Sequence, residues 1–129
     1  GLFNASLPAF LAARPPGERL AFANVDCDLL SSARVVLRLL ARRLARGTLL
    51  HFHELGLAAA AGAAAAAAAG RAPPPPGRAK TPRPEAPFDE AIALRELLEA
   101  HPSLRLELLP RTGKAHGREQ AALFRVIGV

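Results

Sequence analysis

The stretch LAFANVDCDLLSSARVVLRLLARRLARGTLLHFHE, residues 20–54, decides the fold, because it reads as a strand, a helix and a second strand. Leu20 to Val25 is a short apolar run with β-forming residues that stops at Asp26-Cys27-Asp28, as a buried strand does when it opens onto a polar edge. From Ser32 to Arg46 the apolar residues Val36, Leu37, Leu40 and Leu44 recur at three- and four-residue steps. Arg34, Arg38, Arg42 and Arg46 fall on another face, and the pattern predicts an amphipathic helix. Ser31 has the hydroxyl that an N-cap uses to accept a bond from a first-turn amide, and Gly47 suits a left-handed stop after Arg46. Thr48 to His53 is the second apolar strand, and it runs into Glu54.

Two buried strands joined by a crossover helix pair in parallel, with a right-handed connection. Asp26, Asp28, His53 and Glu54 thereby reach one edge of the sheet, outside the carboxyl ends of its strands, where open α/β sheets bind ligands. Two readings of these residues stand at this point. Either they form a site, or Asp26 and Asp28 cap the helix and His53 ends its strand facing water. His51 shares a strand face with His53, but a lone H-x-H is a weak metal signal, and His51 is read as packed under flanking helices.

Working outward, Phe3 to Leu11 is short and apolar, and Leu7, Phe10 and Leu11 at helical spacing predict a helix with Ser6 as N-cap and Pro8 in its first turn, ended by Arg14-Pro15-Pro16-Gly17. Phe88 to His101 is a further amphipathic helix, with Phe88, Ile92, Leu94, Leu97 and Leu98 on its apolar side and Asp89 and Glu90 suited to its positive N-terminal end. Leu104 to Leu109 alternates like an edge strand with one wet face, and after a turn over 110–117 the run Ala121 to Val129 is the last strand. Between these halves lies low complexity. Ala58 to Gly70 is nearly pure Ala, and 71–87 is Pro-rich, a stiff extended spacer. The expected organisation is one α/β unit made of 1–56 and 88–129, interrupted by a disordered Ala/Pro-rich insert over 57–87.

The insert also explains the charge. The formal net charge is +6, but between Arg71 and Pro84 the four basic residues Arg71, Arg78, Lys80 and Arg83 stand with no acid, which leaves +2 for the rest of the chain. The arginine stripe of the first amphipathic helix has no interleaved aromatics and reads as a solvated face, so no nucleic-acid binding is expected. The Ala tract is too weakly apolar to span a membrane, and no signal peptide is seen, so the expectation is a soluble intracellular protein. Cys27, the one cysteine, excludes an internal disulfide framework and reads as a small buried hydrophobe.

At Val25-Asp26-Cys27-Asp28-Leu29-Leu30-Ser31-Ser32, followed by a helix and then Gly47-Thr48-Leu49-Leu50-His51-Phe52-His53-Glu54, the chain resembles the macrocin O-methyltransferase-like family, which are class I S-adenosylmethionine-dependent methyltransferases. The family pattern is close to VDCDLYSST, a helix, then PGT, an apolar strand and a DE or DD pair. Gly1 to Pro8 resembles its GxFxDTLP segment, and Glu119 to Val126 resembles its closing EQ-plus-strand. The chain departs from the pattern at Asn24 in place of His, Leu30 in place of Tyr, Ala33 in place of Thr and His53 in place of Asp.

The resemblance implies the C-terminal half of a Rossmann-like class I sheet, strands four to seven, with the last strand antiparallel. It implies methyl transfer from S-adenosylmethionine to a hydroxyl of a sugar or other small-molecule acceptor, assisted by a magnesium-like divalent ion. In that scheme Asp26 is general base and metal ligand, His53 and Glu54 complete the ligand set, and Asp28 supports or caps. The cation lowers the pKa of the hydroxyl and the carboxylate takes its proton. Imidazole at His53 is a poor ligand for magnesium and favours softer ions. No glycine-rich turn follows any strand, so the cofactor-binding half is expected outside this chain. The chain alone is then expected to be an inactive fragment whose partner is that half or a second copy. The alternative is a non-catalytic relative that persists as an interaction module.

Overall fold

A computed structural model describes residues 2–53, 55, 89–110 and 121–129. The insert 57–87, together with Glu54, Phe88 and the turn at 111–117, lies outside the described residues. In chain order the elements are α1 (Phe3–Ala12), β1 (Phe22–Val25), α2 (Leu30–Leu40) with a 3-10 turn at Ala41–Arg43, β2 (Leu49–Phe52), α3 (Asp89–Ala100), β3 (Arg105–Leu108) and β4 (Ala122–Gly128). The strands form one four-stranded sheet in the order β1-β2-β4-β3. β1 and β2 are parallel, Phe22 opposite Leu49 through Val25 opposite Phe52, and β4 runs antiparallel between β2 and β3. The parallel pair and the antiparallel last strand are as expected.

One face of the sheet makes the core. Val25, Leu50, Phe52, Leu106, Phe124 and Val126 are buried in one cluster with Ala33, Val36, Leu37 and Leu40 of α2 and Ala93, Leu94, Leu97 and Leu98 of α3. Phe52 and Phe124 meet edge to face at 5.9 Å between centroids, the arrangement that sets the positive edge of one ring on the negative face of the other. α2 and α3 pack against each other, and Arg34 forks onto Glu96 across them at 2.7 and 2.6 Å. That contact raises the Arg34 pKa and lowers that of Glu96, but it faces solvent and contributes little to stability. The other sheet face is mixed, with Glu107 of β3 paired to Arg125 of β4 at 2.6 Å beside half-buried Leu49, Leu123 and Ile127. Buried Thr48 ties the pieces together at the start of β2. Its hydroxyl donates to the Leu20 carbonyl at 2.5 Å and accepts the Ala45 N–H at 3.1 Å.

Several local expectations are corrected. α2 begins at Leu30, so Ser31 lies inside it and is not its N-cap, and it tightens into the 3-10 turn before Arg46. Gly47 has the expected positive φ of 96°, but in the turn into β2, where its N–H donates to the Val126 carbonyl. α1 starts at Phe3, which puts Pro8 in its interior, and the Ser6 hydroxyl donates back to the Leu2 carbonyl at 3.0 Å instead of capping. No residue of α1 is buried. It rests on the core through Leu7 and Leu11, and the Arg43 guanidinium donates to the carbonyls of Leu11 at 2.6 Å and Glu18 at 3.2 Å. No helix among the described residues is long and apolar enough to cross a membrane.

Cys27 joins the core at 8% exposure, as read from the sequence. Burial, reinforced by the nearby Glu90 carboxylate, pushes its thiol pKa up, because a thiolate there would lose its hydration. The folded state thus favours the neutral thiol. Its contribution is present below the unfolded thiol pKa of about 8.5 and is lost as the pH rises through the higher folded value. Cys27 is therefore expected to resist alkylation at pH 8 and to react only as the protein unfolds, which labelling along a urea titration measures. Phe52→Ala is expected to cost about 3–5 kcal/mol in the same titration, whereas Phe22→Ala, at a ring that is 53% exposed, stays within about 1 kcal/mol of wild type.

Candidate functional site

Strand alternation continues past the end of β1. Val25 and Cys27 turn into the core while Asp26 and Asp28 are exposed. Along β2 Leu50 and Phe52 are buried, His51 is half-buried and His53, just past its end, is exposed. The His53 N–H donates to the Val25 carbonyl at 3.0 Å, which carries the parallel ladder one step beyond the strands. Asp26 and His53 are thereby brought side by side, Oδ1 to Nδ1 at 3.4 Å, with side chains 53% and 59% exposed. One step back on the same face, Asn24 Oδ1 meets His51 Nδ1 at 2.5 Å. His51 is half-buried on the sheet face away from α2 and α3, so these described helices do not cover it, which corrects the sequence reading.

The acids divide. Asp26 pairs with His53, Asp28 is exposed and takes no part in that pair, and Glu54 lies outside the described residues. The capping role read for Ser31 falls to another element. The Leu30 N–H at the start of α2 donates to Asp89 Oδ2 at 2.7 Å, and the Cys27 N–H donates to Glu90 Oε1 at 2.9 Å. Glu90 is 1% exposed. Asn24, Asp89 and Glu90 were not singled out from the sequence as site residues. The equal spacing of Asn24–Asp26 and His51–His53 on parallel strands carries a signal for the first; nothing local distinguishes the other two from ordinary acids at a helix start.

The chemistry of the donors can be set against the groups implied by the resemblance. Magnesium demands a near-octahedral shell of oxygens. Asp26 and His53 offer one carboxylate and one imidazole, and no group of three or more His, Cys, Asp or Glu that could hold a metal comes together among the described residues. That pair does not make a magnesium site. S-adenosylmethionine is equally unprovided for among the described residues, since the chain leaves β1 through Asp26-Cys27-Asp28 and β2 through His53, with no glycine at which backbone could approach a ligand closely.

No protein-family model and no curated protein matches the chain. Among solved structures it is similar to the apo form of CalS11, a TDP-rhamnose 3'-O-methyltransferase and an enzyme in calicheamicin biosynthesis, with a TM-score of 0.55 and 25% identity over 97% of this chain and 38% of that one. A second structure, of CalS11 as calicheamicin methyltransferase, gives a TM-score of 0.56 and 26% identity over 97% of this chain and 35% of that one. The chain spans just over a third of the length of the structures it matches. These neighbours are methyltransferases, and the mixed sheet of this chain matches a part of their fold.

Proposed function

We propose that this chain forms the acceptor-side part of an S-adenosylmethionine-dependent O-methyltransferase of the macrocin-like kind, acting on a hydroxyl of a sugar or similar small molecule. The observation that carries the reading is the exposed Asp26–His53 pair at the carboxyl ends of β1 and β2, in a chain similar to a sugar O-methyltransferase over 97% of its length. Asp26 takes the proton of the acceptor hydroxyl as general base, and the imidazole beside it orients the carboxylate. Asp28, exposed on the same loop, supports it. The donor, held by polypeptide outside this chain or by a second copy, supplies an electrophilic methyl. A divalent ion would need oxygen donors beyond Asp26 and His53, with Glu54 first among them.

In the full natural polypeptide that carries this chain, Asp26→Asn is expected to lower the rate of methyl transfer to a panel of nucleotide-linked sugars by about 10²–10⁴-fold. An unchanged rate would remove Asp26 from the chemistry.

A second reading, a non-catalytic interaction module, is favoured by His53 itself, which occupies the Asp26 carboxylate where the family pattern has an acid. Methyl transfer to the same panel with His53→Asp separates the two: on the enzyme reading the restored acid keeps or raises the rate, and on the module reading neither the variant nor wild type transfers methyl.

A further inference from the structure

We infer that Asp89 and Glu90, in the first turn of α3, are positioning residues that set where Asp26 and Asp28 stand. The inference rests on the reading of Asp26 as the base. The loop from β1 to α2 is four residues, Asp26-Cys27-Asp28-Leu29, and Leu30 opens α2. It is gripped at two backbone points, the N–H of Cys27 by Glu90 Oε1 at 2.9 Å and the N–H of Leu30 by Asp89 Oδ2 at 2.7 Å. Asp26 directly precedes the first grip, and Asp28 lies between the two. The Cys27 side chain, sunk in the core, is a third anchor.

Helix-dipole stabilisation alone does not explain this arrangement. An acid that only complements a helix N-terminus does so from the surface, fully hydrated. Glu90 is 1% exposed. Burying a carboxylate is costly unless it accepts strong bonds, and here a carboxylate receives a main-chain N–H from a segment far away in sequence. Bonds from N–H to a charged acceptor are about twice as strong as neutral ones. Two of them, one near each end of the loop, leave it little freedom, which is what a base must have if its oxygen is to stay within reach of a hydroxyl proton. A misplacement of about 1 Å costs on the order of 10²-fold in rate.

The test uses the full chain and backbone amide exchange by NMR, with Leu50 and Phe124 in the central strands as reporters of global opening. In Glu90→Ala and in the milder Asp89→Ala, exchange at Cys27 and Leu30 is expected to speed up by about tenfold or more while Leu50 and Phe124 keep their rates. The His53 ring resonances should shift as Asp26 leaves its side. Glu90→Gln and Asp89→Asn keep an acceptor oxygen and should restore most of the protection. Acceleration at Leu50 and Phe124 equal to that at Cys27 would reduce both acids to general stabilisers and overturn the inference. So would unchanged exchange and unchanged His53 signals. These readings do not depend on catalysis, so absence of methyl transfer by the full polypeptide would sink the functional reading while leaving the grip on the loop decided on its own evidence.

Discussion

Val25 lies opposite Phe52, and because both are buried, the parallel pair cannot slip by one residue without turning its apolar set to the wrong face. Everything at the carboxyl edge inherits that register. Asn24 meets His51 and Asp26 meets His53 because each is the odd partner of a buried neighbour, exposed where Val25, Cys27 and Phe52 are hidden. The polar ladder is thus a by-product of apolar packing, and its spacing is as rigid as the core beneath it.

α3 serves the same edge from a distance. Ala93, Leu94, Leu97 and Leu98 seat it in the core beside α2, and that seating fixes where its first turn falls. Its two acids arrive at the β1–α2 loop because the rest of the helix is locked. Arg43 does comparable work at the other end of the molecule, where one guanidinium takes carbonyls from α1 and from the loop after it. In both places a charged side chain satisfies main-chain groups that regular secondary structure leaves unpaired.

The elements that periodicity controls were legible. Val36, Leu37 and Leu40 mark the buried stripe of α2, Leu94, Leu97 and Leu98 that of α3, and the alternation of Leu104 to Leu108 places β3 at an edge with one wetter face. What escaped was decided by tertiary partners. Ser31 and Ser6 carry the local signature of caps, yet Asp89 reaches the start of α2 from another helix, and Ser6 lies too far inside α1 to cap it. Pro8 suits a helix start because its missing N–H is harmless in a first turn; inside α1 the carbonyl it leaves over is that of exposed Asn4, which water can take. The strand shows that His51 shares a face with His53 opposite Leu50 and Phe52, but not which of its faces α2 and α3 cover.

The place of β4 between β2 and β3 has a further consequence. β1, α2 and β2 are contiguous, so their contacts form across short separations. β2 must wait for a strand that pairs Phe52 with Ala122, on the far side of the insert. Closing such a loop costs entropy that grows only with the logarithm of its length, about 0.6 kcal/mol for each doubling. Lengthening the Ala/Pro segment would therefore hardly move the equilibrium between folded and unfolded chain. It would act on folding speed, since non-local strand pairing is the slow step in sheets of this kind, and low-complexity expansion can drift at that point with little thermodynamic penalty.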